Sequence, residues 1–199
     1  MKALVIAEKP SVARDIARVL KCTKKYFWCD RGREVCSDMG ARSSCDAGRS
    51  GGYSKEYKEW KMEVLPMMPK PMKLIVIQKT AKQYRAVKEQ LFRKDIGEIV
   101  IATDAGREGE LIFRLVYNQA ECKLPFKRLW ISSMEEKAIL EGFQQLKDGH
   151  EYDDLYYSAV ARSEADWLVG INATRLFTVL YHHRLIVGRV QTPTLAMLV

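Results

Sequence analysis

Residues 98–120 read EIVIATDAGREGELIFRLVYNQA, and the fold class can be predicted from the pattern of this stretch. Its first five residues are mostly β-branched and apolar, which is typical of a buried strand. A polar turn follows, and the pattern then predicts a helix from about Arg107 to Ala120. A continuous apolar strand that leads through a tight turn into a helix is the repeating unit of a parallel sheet covered on both faces.

Other stretches repeat this plan. The predicted strands cover residues 2–7, 73–77, 98–102 and 128–131. Pro10 suits the first turn of a helix that continues to about residue 20. The two later helices would begin at capping boxes, Thr80-x-x-Gln83 and Ser133-x-x-Glu136. We therefore predict an α/β fold with a parallel sheet flanked by helices over residues 1–149.

After residue 149 the strand pattern stops. From residue 152 to about residue 181 helix formers predominate, with one stripe formed by Ala161, Ala165, Leu168 and Asn172. Thr192-Pro193 is typical of another helix start, and the sequence ends at Val199 before that helix would close. We interpret residues 150–199 as the start of an all-α domain and expect the chain to be truncated.

Residues 26–52 do not fit this pattern. They contain no Lys, Leu or Ile, but they hold three of the five cysteines. Three interpretations remain open: a disordered insertion, a metal-binding loop, or translation of a shifted reading frame, which we favour. Because no Cys-x-x-Cys pair occurs and the histidines lie far away in sequence, we expect free thiols and no zinc site.

Composition limits the function classes. The chain has 199 residues, 47% of them hydrophobic, and a net charge of +8. This charge favours a polyanionic partner, because cations placed near phosphates release condensed counterions. No apolar run approaches the roughly 20 residues that a membrane-spanning helix needs, and the first residues do not form a signal peptide. We expect a cytoplasmic protein without a membrane partner.

Acidic side chains follow two of the predicted strands. Glu8 comes after the first strand, and Asp104 comes after the strand at 98–102. The carboxyl ends of parallel strands meet at one edge of a sheet, so we expect an oxygen-rich site that suits Mg²⁺. Lys9 and Arg107 would add positive charge for a phosphate. The alternative is that both carboxylates are solvated turn residues.

These positions carry recognisable motifs. AEKPS at 7–11 and ATDAGREGE at 102–110 resemble the paired signatures of the Toprim domain found in topoisomerases and primases. ADWLVGIN at 165–172 and GRVQTP at 188–193 resemble the gate-forming helical domain of type IA DNA topoisomerases of the topoisomerase III kind. Outside 26–52 the resemblance runs along essentially the whole chain. It implies a Toprim-like fold and Mg²⁺-dependent, ATP-independent relaxation of negatively supercoiled DNA in the nucleoid.

The resemblance also implies roles for single residues. Glu8, Asp104 and Glu108 would bind Mg²⁺, while Glu8 and Lys9 would also act at the scissile phosphate. Contacts with single-stranded DNA are implied for Arg162, Trp167, Arg175, Ile186, Val187, Gly188, Arg189, Val190 and Gln191. Spacing alone does not favour these DNA contacts. It fits a core tryptophan at position 167 and a surface arginine at position 175 at least as well as a DNA-binding role for either residue.

The sequence departs from the family pattern in three places. Gly106 stands at the middle position of the usual Asp-x-Asp-x-Glu triplet, which predicts weaker metal binding. Residues 26–52 replace a strand and a Gly-His-Leu turn near the DNA. None of the nine tyrosines precedes Arg-Thr-Asp, the sequel of the family's nucleophile. We therefore expect metal binding and weak single-strand binding, without DNA cleavage by this chain alone.

Two other functions remain open. A stand-alone Toprim nuclease or primase-like enzyme would use metal-activated water or a nucleotide instead of tyrosine. The helical sequence after residue 150 argues against it, since such an enzyme has no need of a grip on single-stranded DNA. A non-catalytic module that binds single-stranded DNA would act without Mg²⁺.

Overall fold

The computed structural model describes residues 1–22 and 52–199, together with the backbone of four short strands between these ranges. Most of residues 26–52, for which the sequence predicts a shifted reading frame, lie outside the described residues. The chain divides into two compact units. The first contains Met1–Asp46 and Val76–Ala159, and the second contains Ala47–Ile75 and Val160–Val199.

A seven-stranded sheet forms the centre of the first unit. Across the sheet, its strands are β2 (Lys24–Tyr26), β3 (Cys29–Arg31), β4 (Glu34–Ser37), β1 (Lys2–Ala7), β7 (Ile96–Ala102), β8 (Phe126–Arg128) and β9 (Lys147–Asp148). Two further strands, β5 (Cys45–Ala47) and β6 (Leu74–Val76), form a separate sheet.

The centre of the main sheet is parallel. β1 pairs in parallel with β4 and β7, and β7 pairs in parallel with β8. At the two edges, β2 with β3, β3 with β4, and β8 with β9 pair antiparallel. The predicted α/β class is therefore confirmed, and the sheet is mixed and predominantly parallel.

The helices agree with the sequence pattern. They are α1 (Pro10–Val19), α2 (Ala81–Leu91), α3 (Arg107–Ala120), α4 (Glu136–Gln144), α5 (Asp153–Tyr181) and α6 (Gln191–Leu198). Short 3₁₀ turns lie at Glu56–Lys58, Met62–Val64, Gln78–Thr80 and Gly149–Tyr152. Within residues 1–22 and 52–199, no helix combines the length and the apolar character that crossing a bilayer would need.

Both faces of the central strands are buried, because successive side chains point to opposite sides of a sheet. On one face Leu4 and Ile101 pack with α2 and α3, where Phe113 is fully buried. On the other face Val5 and Ala102 pack with α1 and α4. The residues that share this second core on the two helices are Ile16 and Ile139. This two-sided burial explains the continuous apolar runs in the sequence.

Three local predictions were wrong in detail. The strand at 73–77 is shorter and lies outside the main sheet, consistent with the partial exposure of Leu74 and Ile75. The strand predicted at 128–131 is displaced, since β8 ends at Arg128. At neither predicted capping box does the residue at the N-cap of the helix make a side-chain capping hydrogen bond. The Thr80 hydroxyl donates to Ile77 O, and Ser133 Oγ accepts from the amide of Glu135, so local turns compete with capping.

An ion cluster joins the amino ends of β1 and β7. Lys2 Nζ lies 3.0 Å and Arg93 Nη2 lies 2.7 Å from Asp95 Oδ2. The hydrogen bond from Lys2, assisted by Arg93, lowers the pKa of Asp95 from 3.8 to about 2. Asp95 therefore contributes stability that is complete above the ordinary carboxyl pKa and is lost as the pH falls toward about 2.

The substitution Asp95→Asn should lower the thermal midpoint near neutral pH, because the carboxylate charge that pairs with Lys2 is lost. The difference from wild type should shrink as the pH falls toward about 2, where Asp95 itself becomes protonated. Thermal melts followed by circular dichroism across this range would measure the effect, with Glu89→Gln on α2 as the control. A difference that is independent of pH would contradict this account.

Candidate functional site

The register of the central strands sets the geometry of the candidate site. Ala7 pairs with Ala102, so Glu8 leaves β1 level with Thr103 as it leaves β7. Asp104 follows one residue later and is exposed, whereas Glu8 is half-buried. Both carboxylates therefore belong to the carboxyl edge of the sheet, where ligands of parallel α/β folds bind.

Lys9 and Asp104 form an ion pair at this edge. Lys9 Nζ lies 2.8 Å from Asp104 Oδ2, and about half of each side chain is exposed. The hydrogen bond and the charge of Asp104 raise the pKa of Lys9. The site therefore already places a cation beside the exposed carboxylate.

The turn between β7 and α3 is tight at one glycine and open at another. The Thr103 hydroxyl donates to Gly109 O over 2.9 Å, and a Cβ atom on Gly109 would lie only 2.2 Å from Asp104 O. A Cβ atom on Gly106 would have no neighbour within 4 Å, and the backbone there is extended, with φ 172°. Gly109 is therefore required by close backbone approach, whereas Gly106 is not.

Two further predicted residues, Arg107 and Glu108, lie exposed in the first turn of α3. Among residues 1–22 and 52–199, no three His, Cys, Asp or Glu side chains are grouped so that they could hold a metal ion. Glu8, Asp104 and Glu108 therefore do not form a closed cage. Mg²⁺ does not require one, because it keeps several waters and often takes one or two carboxylates together with substrate phosphates. Glu8 and Asp104 supply carboxylate oxygens at this edge, which is the ligand type that such an open site uses.

A cleft of about 270 Å³ opens beside Asp104 in the first unit. Its walls come from the end of β7, from α1 and from the segment before α4. The side chains include Ile16, Asp104, Leu129, Ile131 and Met134. The lining thus mixes apolar side chains with the charged Asp104.

A buried arginine lies beneath the carboxylate edge. Arg128 is fully buried, and its guanidinium donates to three backbone carbonyl oxygens. The distances are 3.1 Å to Ile101 O, 2.9 Å to Thr103 O and 2.7 Å to Asp104 O. Its Nε atom lies 3.2 Å from Oε2 of the equally buried Glu110. One side chain thus binds the whole strand end that leads to Asp104.

Arg114 extends this network to the start of α5. Its Nε donates to Glu110 over 2.9 Å, and its Nη2 donates to Gly149 O over 2.8 Å and to Asp153 over 2.6 Å. Burial alone would raise the pKa of Asp153, but hydrogen bonds from His150 and Arg114 outweigh it and lower that pKa. The two arginines are thus balanced by two carboxylates.

In the second unit, Arg175 and Trp167 pack against the segment that precedes β6. Arg175 is 2% exposed. Its guanidinium donates to Tyr57 O over 2.6 Å and to Glu59 O over 3.2 Å, and it lies 5.1 Å from the centre of the Trp60 ring. Trp167 is half-buried and meets the ring of Tyr53 edge-on at 5.6 Å. The face of α5 that carries Trp167 and Arg175 therefore contacts other residues of the same unit. If Arg175 contacted DNA, its hydrogen bonds to Tyr57 O and Glu59 O would have to be replaced.

The segment 186–191 is fixed to α5. Thr174 Oγ1 accepts from the amide of Val187 over 3.0 Å. Arg189 forms an ion pair with Asp166, with its Nη2 at 3.3 Å, and Arg162 Nε approaches the same carboxylate at 3.9 Å. The remaining predicted DNA contacts of this segment lie exposed or half-exposed along it, namely Ile186, Gly188, Val190 and Gln191.

Comparisons with known proteins identify the family to which the chain belongs. The family model described as Toprim domain matches residues 3–134, which is most of the chain. The chain belongs to the Toprim domain family. A second family model, described as DNA topoisomerase, matches residues 150–199. The resemblance seen in the sequence motifs is thus confirmed, and the candidate site lies within the Toprim match.

Curated relatives cover nearly all of the chain. It is 55% identical to "DNA topoisomerase 3" of Bacillus subtilis strain 168 over 197 residues, which are 99% of this chain and 27% of the relative. The corresponding protein of Bacillus licheniformis is 54% identical over the same number of residues, again 27% of its length. The chain therefore spans about a quarter of the length of the curated relatives it matches.

A solved structure supports the fold. Full-length topoisomerase I from Thermotoga maritima superposes with a TM-score of 0.58 at 18% sequence identity. The match covers 88% of this chain and 26% of that chain. At this identity the likeness shows the fold alone.

Sequence reasoning missed Arg128 and Glu110 of the Toprim domain. The sequence pattern places Arg128 in a strand and Glu110 within a Toprim signature, and neither pattern indicates a buried ion pair. The available signal was an arginine beside an apolar strand sequence, together with a glutamate three residues before the buried Phe113 on α3. Charged residues at buried positions are uncommon unless they are paired.

We expect the substitution Gly109→Ala to destabilise the Toprim domain, whereas Gly106→Ala should be tolerated. The new Cβ would press on the Asp104 carbonyl in the first variant and would meet nothing within 4 Å in the second. Overpacking of this kind costs about 1–3 kcal/mol. Urea unfolding of the two variants would measure the difference, and equal stabilities would show that the turn is not tight at Gly109.

The substitution Arg175→Met should destabilise the second unit, because it leaves the carbonyls of Tyr57 and Glu59 without their buried donor. The free energy of unfolding should fall by about 2–3 kcal/mol, the cost of such unsatisfied groups. Urea unfolding followed by tryptophan fluorescence would measure the change. Arg184→Met, at an exposed position of the same unit, is the control. A variant as stable as that control would contradict the structural role of Arg175.

Proposed function

We propose that this chain provides the metal-binding part of the active site, and the beginning of the DNA gate, of a type IA DNA topoisomerase of the topoisomerase III kind. Residues 1–149 are the Toprim domain, and residues 150–199 begin the helical gate domain. The parent reaction is Mg²⁺-dependent, ATP-independent relaxation of negatively supercoiled DNA through a transient single-strand break. Its substrate is the DNA of the cytoplasmic nucleoid.

The observation that carries the proposal is the meeting of Glu8, Lys9 and Asp104 at one sheet edge, through the register of Ala7 and Ala102. The two acidic residues would hold Mg²⁺, with Glu108 assisting from the first turn of α3. The ion would neutralise charge on a phosphodiester. Two matching family models in the expected chain order support the same assignment.

The chain's own cations would orient the phosphate. Lys9 now pairs with Asp104, and it would turn to the phosphate when a divalent ion takes over that carboxylate. Arg107 lies exposed one turn away, at the start of α3. The two cations would act differently on the phosphate. The guanidinium of Arg107 can bind two phosphate oxygens at once, whereas the ammonium group of Lys9 acts as a point charge.

Single-stranded DNA would follow the segment 186–191 and α5. Arg189 and Arg162 lie together at Asp166, where a phosphate could compete for their charge. Trp167 is the aromatic residue nearest to this cluster in sequence and offers a partly exposed ring. Arg175 contributes indirectly, since it holds residues 57–60 against α5.

Cleavage itself requires a nucleophile that these 199 residues do not show. No tyrosine among them precedes Arg-Thr-Asp. Covalent cleavage cannot proceed without such a group. We therefore propose that the chain by itself binds Mg²⁺ and single-stranded DNA without turnover.

The metal site can be tested by calorimetric titration of the purified chain with Mg²⁺. Asp104→Asn and Glu8→Gln should each weaken binding about tenfold or more, because the number of ligand charges sets the affinity. Gly106→Asp should strengthen it, since a Cβ atom at this position meets nothing within 4 Å and the substitution adds a carboxylate two residues after Asp104. Glu89→Gln on α2 is the control. Unchanged affinity in both loss variants would exclude this edge as the metal site.

Activity assays separate the proposal from its rivals. The purified chain should not relax supercoiled plasmid in Mg²⁺, and relaxation without a complementing protein would contradict the proposal. Mg²⁺-dependent nicking that is abolished by Glu8→Gln would indicate a Toprim nuclease. Affinity for single-stranded DNA that ignores Mg²⁺ and survives Asp104→Asn would indicate a non-catalytic binding module.

A further inference from the structure

The Toprim domain contains a group of buried charges that the proposed metal chemistry does not use directly. Arg128 and Glu110 are fully buried, and the side chain of Arg114 is 8% exposed. Burial opposes the charge of Arg128 and lowers its pKa, while Glu110 acts in the opposite direction. Buried ion pairs are often no more stabilising than well-packed apolar residues of similar volume. Stability alone therefore does not account for this group.

The contacts of Arg128 are concentrated on one short segment. All three of its backbone acceptors belong to residues 101–104, at the end of β7. The shortest of these bonds, at 2.7 Å, is to the carbonyl of Asp104 itself. The same carbonyl oxygen is the atom that a Cβ on Gly109 would strike. The peptide that carries the Asp104 side chain is thus fixed from two sides.

Glu110 fixes Arg128 in turn. Its Oε2 lies 3.2 Å from Arg128 Nε, and its Oε1 accepts from Arg114 Nε. Neither Glu110 Oε2 nor Arg128 Nε has a well-aligned hydrogen-bond partner among the described residues, so their attraction is chiefly between charges. Salt screens such an attraction much less in a buried environment than at the surface. Glu110 therefore holds the guanidinium in place beneath the turn.

We propose that Arg128 is a positioning residue for Asp104: through the carbonyls of residues 101–104 it sets the direction in which the Asp104 carboxylate meets a divalent cation. Glu110 supports it by holding the guanidinium. This inference rests on the proposed function, because it assigns Asp104 to a metal. Partners of this kind, one step behind the metal ligands, typically change metal affinity by about 10–100-fold when altered.

The test uses Mn²⁺ as a spectroscopic substitute for Mg²⁺, bound to the purified chain and followed by electron paramagnetic resonance. Arg128→Lys keeps a positive charge beside Glu110 but loses the planar fork that reaches three carbonyls. We expect a folded protein with about tenfold weaker Mn²⁺ binding. Glu110→Gln is nearly isosteric and should weaken binding in the same direction. Lys127→Gln, on the same strand but exposed, is the matched control.

A double substitution separates positioning from general destabilisation. Once Asp104→Asn has removed the carboxylate, adding Arg128→Lys should cause no further loss of Mn²⁺ affinity, since the two changes act on one interaction. Circular dichroism and urea unfolding of each variant show whether the fold persists. Independent, additive losses in the double variant would overturn the inference and indicate a purely structural role for Arg128.

The outcomes distinguish this inference from the function on which it rests. If wild type shows no Mn²⁺ binding that depends on Asp104, both the proposed metal site and the positioning role of Arg128 are wrong. If wild type binds Mn²⁺ through Asp104, and the folded variants Arg128→Lys and Glu110→Gln bind it as tightly as wild type, only the positioning role is wrong. Weaker binding in both folded variants, with Lys127→Gln unchanged, supports it.

Discussion

The parallel pairing of β1 with β7 is the constraint on which the candidate site depends. Because Ala7 lies opposite Ala102, two segments about 95 residues apart in sequence leave the sheet side by side. The two strands are buried on both faces, so a slip of one residue would exchange their core-facing side chains for those of the opposite face. The hydrophobic core therefore fixes the register, and the register fixes which polar groups meet at the edge.

A second layer of control lies beneath that edge. Arg128 binds the end of β7 through backbone carbonyls. The turn after β7 can pack closely against the start of α3 because Gly109 has no side chain. Glu110 belongs to α3 and Arg128 to β8, so their ion pair connects two neighbouring elements. The exposed Asp104 is therefore carried by backbone that is held from below.

Much of the central fold could be predicted from the sequence, because β1, β7 and α3 have continuous patterns that local rules describe. The bounds of α3 agree with the prediction from Arg107 to Ala120. The antiparallel strands β2 and β3 and the two-residue β9 are too short to produce a pattern. The association of residues 47–75 with α5 depends on contacts such as that between Met67 and Asn172, separated by 105 positions, which no local rule can show.

The candidate site was predictable in part for the same reason. Strand-end carboxylates follow from topology, so Glu8 and Asp104 could be found without a structure. Arg128 could not, because its importance lies in three backbone carbonyls that have no side-chain signature. Arg175 shows the same limit: its place along α5 fits a nucleic-acid contact, while the structure gives its guanidinium to residues 57 and 59.

The contrast between Gly106 and Gly109 has a consequence for how this turn can change over evolution. A Cβ atom would meet nothing within 4 Å at Gly106, whereas three residues later, at Gly109, it would strike the carbonyl of Asp104. Acidic residues can therefore be gained or lost at position 106 by single mutations, without compensating changes elsewhere. The charge of the site can drift while its backbone stays constant.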